Sequence, residues 1–245
     1  SYPDDNSIAK AKIIHIIGDF LANGVEIESA IYRNNIPVDF SQATLNESKN
    51  IANKVLAKEL RNRVDMMHCP FITIDGKDSR DFDDAVFAKK MQNCWKLYVA
   101  IADVAHYVAE DSALDKDAFK RGNSVYFPNK VIPMLPEKLS NNICSINPKI
   151  KRLALVCEMD IDNAGNLLNY NFCEAVIFSN ARLNYDDLNE ILADKSSNLR
   201  NKYVTVMSNI DSLYKLYKVL RKASKERGVI DFDLSENKIN FKNNG

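Results

Sequence analysis

The short spacing between apolar, β-branched segments restricts the fold of this chain more than any other feature. Three such segments read as consecutive strands: 71–74 (FITI), 85–90 (AVFAKK) and 95–102 (WKLYVAIA). Too few residues separate them for the helical crossovers that parallel strands need. Residues 152–162 and 167–179 predict a hairpin of two long strands. The sequence therefore predicts an α+β fold, with a largely antiparallel or mixed sheet and flanking helices.

Helical periodicity and capping residues predict where the helices lie. Residues 112–122 form a helical segment that is capped by Ser112 and ends at Gly122. A second helix is expected after the capping-box pair Thr44 and Glu47. Three more helices are predicted at 25–34, 185–192 and 197–226. Short strands are predicted at 12–17 (KIIHII), 229–233 (VIDFD) and 238–241 (KINF).

Composition and charge exclude several classes of protein. The 245 residues carry 33 Lys and Arg against 33 Asp and Glu, so the net charge is zero, whereas nucleic-acid-binding domains are usually basic. The five cysteines have no CxxC spacing and the three histidines no metal-ligand spacing, so we expect reduced thiols in a cytoplasmic protein. No apolar run approaches the ~18 residues of a membrane span, so no membrane partner is expected.

Residues 71–86, with the sequence FITIDGKDSRDFDDAV, contain the highest density of potentially functional side chains. The carboxylates of this segment are Asp75, Asp78, Asp81, Asp83 and Asp84. Like charges so close raise one another's pKa, and a fold usually avoids them unless a cation lies among them. Hard oxygen ligands at short spacing suit Mg²⁺, which the segment therefore predicts.

Two other interpretations of this segment stay open at this point. It also reads as a solvated acidic turn, although an apolar strand on each side places it at rigid strand ends and Gly76 permits a sharp turn. Asp81 and Asp83 match the short DxD pattern of metal-dependent sugar-nucleotide transferases, which is a weak signal. An EF-hand is excluded, because Lys77 and Arg80 stand where that loop needs an oxygen ligand and a glycine.

Three motifs carry a resemblance to a known family: TIDGKDSRDFDDAVF at 73–87, YVAIADVAHYV at 98–108 and RGNSVYFPNKVIPMLPEKLSNNICSINP at 121–148. In their order and intervals, they resemble the catalytic RNB domain of the ribonuclease II and ribonuclease R family, and bacterial ribonuclease R most. The resemblance implies the amino-terminal portion of an RNB domain at 67–245. Residues 1–66 resemble what precedes that domain, the end of a cold-shock OB-fold domain followed by a helical connector.

The resemblance implies a processive 3′→5′ exoribonuclease that acts on a single-stranded RNA 3′ end, releases nucleoside 5′-monophosphates, and depends on Mg²⁺ or Mn²⁺ without an organic cofactor. Two such ions roughly 3.5–4 Å apart would serve both the nucleophilic water and the leaving oxygen. Carried over by position, the metal ligands are Asp75, Asp81, Asp83 and Asp84. Among them, Asp81 and Asp83 are the catalytic candidates, and the loss of Asp83 should be the most damaging. Tyr126 corresponds to the aromatic residue that stacks on the 3′-terminal base.

Basic residues near Tyr126 could hold the RNA backbone. These are Arg121, Lys130, Lys151 and Arg152, each of which could equally be a solvated charge. A local basic lining would reconcile RNA binding with zero net charge. Asp103 and His106 belong to a family motif outside the metal cluster, and we expect them and Cys144 to be structural.

The resemblance also implies that the chain is a fragment. The family's catalytic domain continues past residue 245 with an arginine that contacts the scissile phosphate and with an S1 domain. We therefore expect this chain alone to be inactive, and its parent protein to work with RNA-degradation machinery. The alternative is a catalytically inactive RNB-like module that binds RNA or protein.

Overall fold

The computed structural model describes residues 11–19, 22, 24–230 and 232. They fall into two compact units, a smaller one within residues 11–39 and 125–132 and a larger one within 40–124 and 133–232. The strands of the described residues are β1 (Val64–Asp65), β2 (Phe71–Asp75), β3 (Asp84–Lys90), β4 (Cys94–Ala102), β5 (Val125–Phe127), β6 (Lys130–Ile132), β7 (Lys151–Asp162) and β8 (Leu167–Asn184). The helices are α1 (Val25–Arg33), α2 (Gln42–Asn50), α3 (Ala113–Arg121), α4 (Tyr185–Ala193), α5 (Asn198–Lys202) and α6 (Met207–Glu226).

The sheet of the larger unit closes on itself. Strands β3, β4, β7 and β8 pair antiparallel in that order, while β8 pairs parallel with β1 and β2. β8 reaches both neighbours because it is 18 residues long, with residues 167–178 opposite β7 and 179–184 opposite β2. The contact of Ile72 with Val86 joins β2 to β3 and completes the ring. The predicted mixed, largely antiparallel sheet is confirmed.

One core cluster takes side chains from every strand of this ring. The two aromatic side chains of this cluster, Phe71 and Phe82, are 0% and 2% exposed. They are surrounded by small or β-branched residues, mainly Ala85, Ala100, Ala102, Ala154, Val156, Ala175 and Ile177. The alanines leave room for the two aromatic side chains in the closely packed interior.

Helix α6 covers another part of the sheet and is tied to it by a buried polar residue. Leu216 packs with Trp95 and Ile161 in a second cluster. Asn209, only 2% exposed, accepts a hydrogen bond from the Ala88 amide at 3.0 Å and donates one to the Pro70 carbonyl at 2.8 Å. The amide side chain therefore satisfies main-chain groups from two separate segments.

Most predicted elements are confirmed, including the strands at 71–102, the long hairpin and the helix capped by Ser112. Residues 12–17, however, are not a strand: among the described residues no strand pairs with them, and Ile13 and Ile16 are 81% and 78% exposed. The second helix begins one turn before the predicted box, because Ser41 accepts the Thr44 amide. The predicted strands at 229–233 and 238–241 fall partly and wholly outside the described residues.

The predicted helix at 197–226 is interrupted, since α5 gives way to a 3₁₀ turn at Val204–Val206 before α6 begins. All five cysteines are free, as expected. In the part of the chain that the structure describes, no helix combines the length and apolar character that a bilayer crossing requires.

The role of Asn209 yields a stability prediction. Asn209→Ala should lower the free energy of unfolding by about 2–4 kcal/mol, because the amide of Ala88 and the carbonyl of Pro70 would lose their partner in a buried site. Urea unfolding followed by circular dichroism measures this. Ser212→Ala is the control on the same helix, since its hydroxyl binds only the Ser208 carbonyl at an exposed position. Equal losses in the two variants would contradict the prediction.

Candidate active site

The fold brings the ends of the acidic segment to one edge of the sheet. Asp75 is the last residue of β2 and Asp84 the first residue of β3. These two strands are antiparallel neighbours, so the end of one lies beside the start of the other. Asp81 and Asp83 lie in the connection between them. The predicted position at rigid strand ends is therefore confirmed.

The four carboxylates share one electrostatic environment. Partial burial raises the pKa of Asp83 above its ordinary value, and the charges of Asp81, Asp84 and Asp75 raise it further, in that order. Burial and then the charge of Asp75 raise the pKa of Asp84, against a smaller lowering by its own amide. Both residues remain exposed at the surface, so the protein removes only part of their water. The charges of these aspartates therefore act on one another in this part of the fold.

A cationic side chain that the sequence analysis missed holds the first half of the connection. Arg182 on β8 donates from Nη2 to the Lys77 carbonyl at 2.8 Å and to the Ser79 carbonyl at 3.0 Å. Its guanidinium carbon also lies 4.6 Å from the centroid of the Phe82 ring. The hydroxyl of Ser79 donates in turn to Asp75 Oδ1 at 3.3 Å. Nothing in the local sequence signals this role, because residue 182 is distant in the chain and adjacent only through the β2–β8 pairing.

The chemistry of this donor set fits a hard divalent cation. Carboxylate oxygens are the ligands that Mg²⁺ and Mn²⁺ prefer, and a cation would relieve the repulsion that raises the pKa of Asp83. Across the described residues, however, no group of three or more His, Cys, Asp or Glu side chains already has the arrangement of a metal site. The donor chemistry therefore fits a cation, while the arrangement of these side chains as a metal site stays a prediction.

Two of the predicted RNA contacts belong to the smaller unit. Tyr126 lies on β5 opposite Val131 of β6, and its side chain is 61% exposed. The Nζ atom of Lys130 lies 2.5 Å from Glu28 Oε1 on α1, so this lysine is already part of an ion pair. The stacking role of Tyr126 and the phosphate contact of Lys130 both stay predictions.

The three basic residues of the larger unit that are predicted to contact RNA differ in exposure and in their contacts with the protein. Lys151 is exposed at the start of β7. The guanidinium carbon of Arg121 lies 3.8 Å from the centroid of the Phe40 ring. An RNA contact of Arg121 stays a prediction. Arg152 is only 1% exposed, and its donors bind carbonyl oxygens of the main chain. The prediction that Arg152 binds RNA is therefore wrong, because a buried guanidinium has no face left for a phosphate.

Asp103 and His106 of the second family motif make polar contacts with neighbouring residues, and the structural role expected for them stays a prediction. Asp103 accepts hydrogen bonds from Arg63 Nη2 at 2.5 Å and from the His106 amide at 3.2 Å. His106 Nε2 lies 3.2 Å from Glu59 Oε1. Cys144 is buried, which raises the pKa of its thiol to about 12 and makes it a packing residue.

The structure also contains a cavity of about 660 Å³ between β2, β3, α4 and α6. Apolar residues dominate its lining, and none of the four aspartates is part of it. The acidic cluster is therefore a surface site at a strand edge rather than a closed pocket.

Comparison with known families decides what this geometry belongs to. The RNB domain profile matches residues 63–245, and the cold shock domain profile matches residues 1–41. The chain belongs to the RNB domain family. The family resemblance drawn from the three motifs is therefore confirmed.

Individual relatives agree with this RNB assignment. Ribonuclease R of Vibrio parahaemolyticus serotype O3:K6 is 46% identical over 231 residues, which are 94% of this chain and 28% of that protein. The chain thus spans less than a third of the length of this curated relative.

Solved structures show the same fold. Mycoplasma genitalium RNase R, in complex with ribose methylated single-stranded RNA, matches 89% of this chain and 34% of its own with a TM-score of 0.82 and 33% identity. Yeast Ssd1, a pseudonuclease, matches 76% of this RNB chain and 24% of its own with a TM-score of 0.61. At 21% identity, the likeness to Ssd1 shows the fold alone.

The repulsion at Asp83 yields a prediction for the metal-free chain. At pH 7, Asp83→Asn should raise the melting temperature by about 1–2 °C, which corresponds to the ~0.5 kcal/mol expected of a partly exposed charge. A raised pKa means that stability is lost as the pH rises through it, so the gain should shrink on acidification and vanish below the ordinary value of 3.8.

Differential scanning fluorimetry between pH 3 and 8 in a chelator tests this. Asp78→Asn removes the same charge from the same exposed connection and is the control. A gain that is equal in both variants, or that grows as the pH falls, would contradict the electrostatic explanation.

Proposed function

We propose that this chain is the amino-terminal part of the catalytic domain of a processive 3′→5′ exoribonuclease that hydrolyses RNA to nucleoside 5′-monophosphates. The observation that carries the proposal is the joint placement of Asp75, Asp81, Asp83 and Asp84 at one edge of the β2–β3 pair within one shared field. Membership of the RNB family and the curated relative named ribonuclease R support it. So does the RNA bound to the Mycoplasma enzyme, which makes a single-stranded 3′ end the proposed substrate.

The four aspartates would hold Mg²⁺ or Mn²⁺. Bound there as a pair, such ions would lower the pKa of a water nucleophile, neutralise phosphoryl charge and stabilise the leaving oxygen. Asp75 and Asp84 stand on the two strands and so would provide fixed ligands at the rim of the sheet. Asp83 interacts with all three of the other carboxylates, so its loss should damage hydrolysis most.

The remaining residues of the proposal hold RNA. Tyr126 would stack on the terminal base, which is independent of sequence and worth ~1–3 kcal/mol. Lys130, Lys151 and Arg121 would meet backbone phosphates. Contacts at these positions would bring local positive charge to a chain whose net charge is zero.

We further propose that activity needs more than this chain. The chain corresponds to 28% of the ribonuclease R relative, and the family resemblance assigns the arginine at the scissile phosphate to a later segment. The parent protein would work in the cytoplasm with RNA-degradation machinery, in keeping with five free cysteines.

The decisive experiment measures product release by the full-length protein. With Mg²⁺ and a 3′-ended single-stranded RNA, it should release 5′-mononucleotides, and the chain 1–245 alone should not. Asp83→Asn should lower turnover by about 100-fold or more, because metal stabilisation is worth several kcal/mol, while RNA affinity in chelator stays within threefold.

Asp78→Asn is the matched control, since it removes a charge from the same connection outside the four ligands. Full turnover in Asp83→Asn would refute the role of that residue. RNA binding without any Mg²⁺-dependent release by the unaltered protein would instead identify a binding module.

The stacking role of Tyr126 predicts a separate effect. Tyr126→Ala should weaken binding of single-stranded RNA by about 5- to 150-fold, which is the loss expected for one stacked base. Fluorescence anisotropy in chelator measures it. Tyr170 is a control of similar exposure, at 59% against 61%, and Tyr170→Ala should leave the affinity unchanged. Equal affinities of the two variants would remove Tyr126 from the RNA site.

A further inference from the structure

A buried arginine lies behind the acidic connection in the larger unit. Arg152 is 1% exposed, and its hydrogen bonds run from Nε to the Ser145 carbonyl at 2.7 Å, from Nη2 to the Asn142 carbonyl at 2.8 Å and from Nη1 to the Lys151 carbonyl at 2.9 Å. A charged group is costly to bury even when it is hydrogen-bonded. Burial accordingly lowers the pKa of Arg152. The hydrogen bonds to residues 142–145 are therefore the contacts that offset the cost of burying Arg152.

That segment contacts the acidic connection directly. The hydroxyl of Ser145, which is fully buried, donates to the Arg80 carbonyl and accepts from the Phe82 amide, both at 2.9 Å. The next amide, of Ile146, donates to the Phe82 carbonyl at 2.8 Å. One side chain and one amide thus bind the main chain on both sides of Asp81.

The remaining aspartate of the connection is held from the sheet. The Ala102 amide at the end of β4 donates to the Asp83 carbonyl at 2.8 Å. Residues 76–83 belong to no helix or strand, so their main-chain groups depend on such partners. Without them, the repulsion among the carboxylates would move the connection toward a conformation with the charges farther apart.

We infer that Ser145 and Arg152 are positioning residues, which fix the main chain of residues 80–82 and so set where Asp81 and Asp83 stand when they bind a cation. This inference rests on the proposed function of the aspartates. Ser145 acts on the connection itself, and Arg152 acts through Ser145 by fixing its carbonyl. Neither side chain touches the cation or the RNA.

The test compares two buried serines in the chain 1–245. Ser145→Ala removes the hydroxyl that binds Arg80 and Phe82. Ser48→Ala removes a hydroxyl of similar burial that binds only the Leu45 carbonyl within α2. Mn²⁺ binding is measured by isothermal titration calorimetry, and amide exchange at Phe82 is measured by NMR in chelator.

Ser145→Ala should weaken Mn²⁺ binding by about tenfold, which is typical for the loss of a group that orients metal ligands. It should also speed exchange of the Phe82 amide, which Ser48→Ala should leave unchanged. The conservative variant Ser145→Thr, which keeps the hydroxyl, should recover most of the affinity. Ser48→Ala should bind Mn²⁺ as the unaltered chain does.

The outcomes separate this inference from the proposed function. If Asp83→Asn abolishes Mn²⁺ binding but Ser145→Ala binds as tightly as the unaltered chain, the positioning role is refuted and the aspartate site stands. If the unaltered chain binds no Mn²⁺, the proposed function fails and this inference fails with it. Equal losses of affinity in Ser145→Ala and Ser48→Ala would show a general loss of stability, which also overturns the positioning role.

Discussion

The double pairing of strand β8 is the constraint on which the rest of the structure depends. Its first part lies against β7 and its last part against β2, and this closes the sheet into a ring. The closure fixes β2 beside β3, so Asp75 and Asp84 meet at one rim although eight residues separate them. It also places Arg182 under residues 77–79. Long-range pairing, rather than local sequence, therefore builds the acidic site.

At the same rim, electrostatic repulsion lowers the stability of the fold. Four carboxylates repel one another, and the connection that carries two of them has no regular secondary structure. The opposing restraint comes from buried polar groups, in which Ser145 and the amides of Ile146 and Ala102 satisfy main-chain partners that would otherwise be free to move. Strained or repulsive groups that the surrounding fold holds in place are typical of functional sites. This balance supports the proposed metal site over a solvated acidic turn.

Local patterns were enough to predict the strands, the hairpin and the caps, because those elements follow from periodicity over a few residues. Local patterns fail where contacts between distant segments decide whether a strand forms or a side chain is buried. Residues 12–17 have strand-forming side chains but no strand partner among the described residues. The sequence predicts Arg152 to be a surface cation, as arginine usually is, and only the carbonyls of the Asn142–Ser145 segment show why it is buried. The role of Arg182 is likewise absent from local patterns, because only the pairing of β2 with β8 brings it near residues 77–79.

The acidic rim also bears on how a polyanion could be bound there at all. Four negative side chains would repel an RNA phosphate, so in the proposed function cations that offset the aspartates strengthen binding of the RNA end at the rim. Binding of the two ligands is then coupled, and thermodynamic linkage requires that RNA strengthen cation binding by the same factor. A site that must bind both ligands needs the main chain that carries its aspartates fixed beforehand. Ser145 and Arg152 are placed to do this, behind the aspartates and out of contact with the solvent that the substrate must displace.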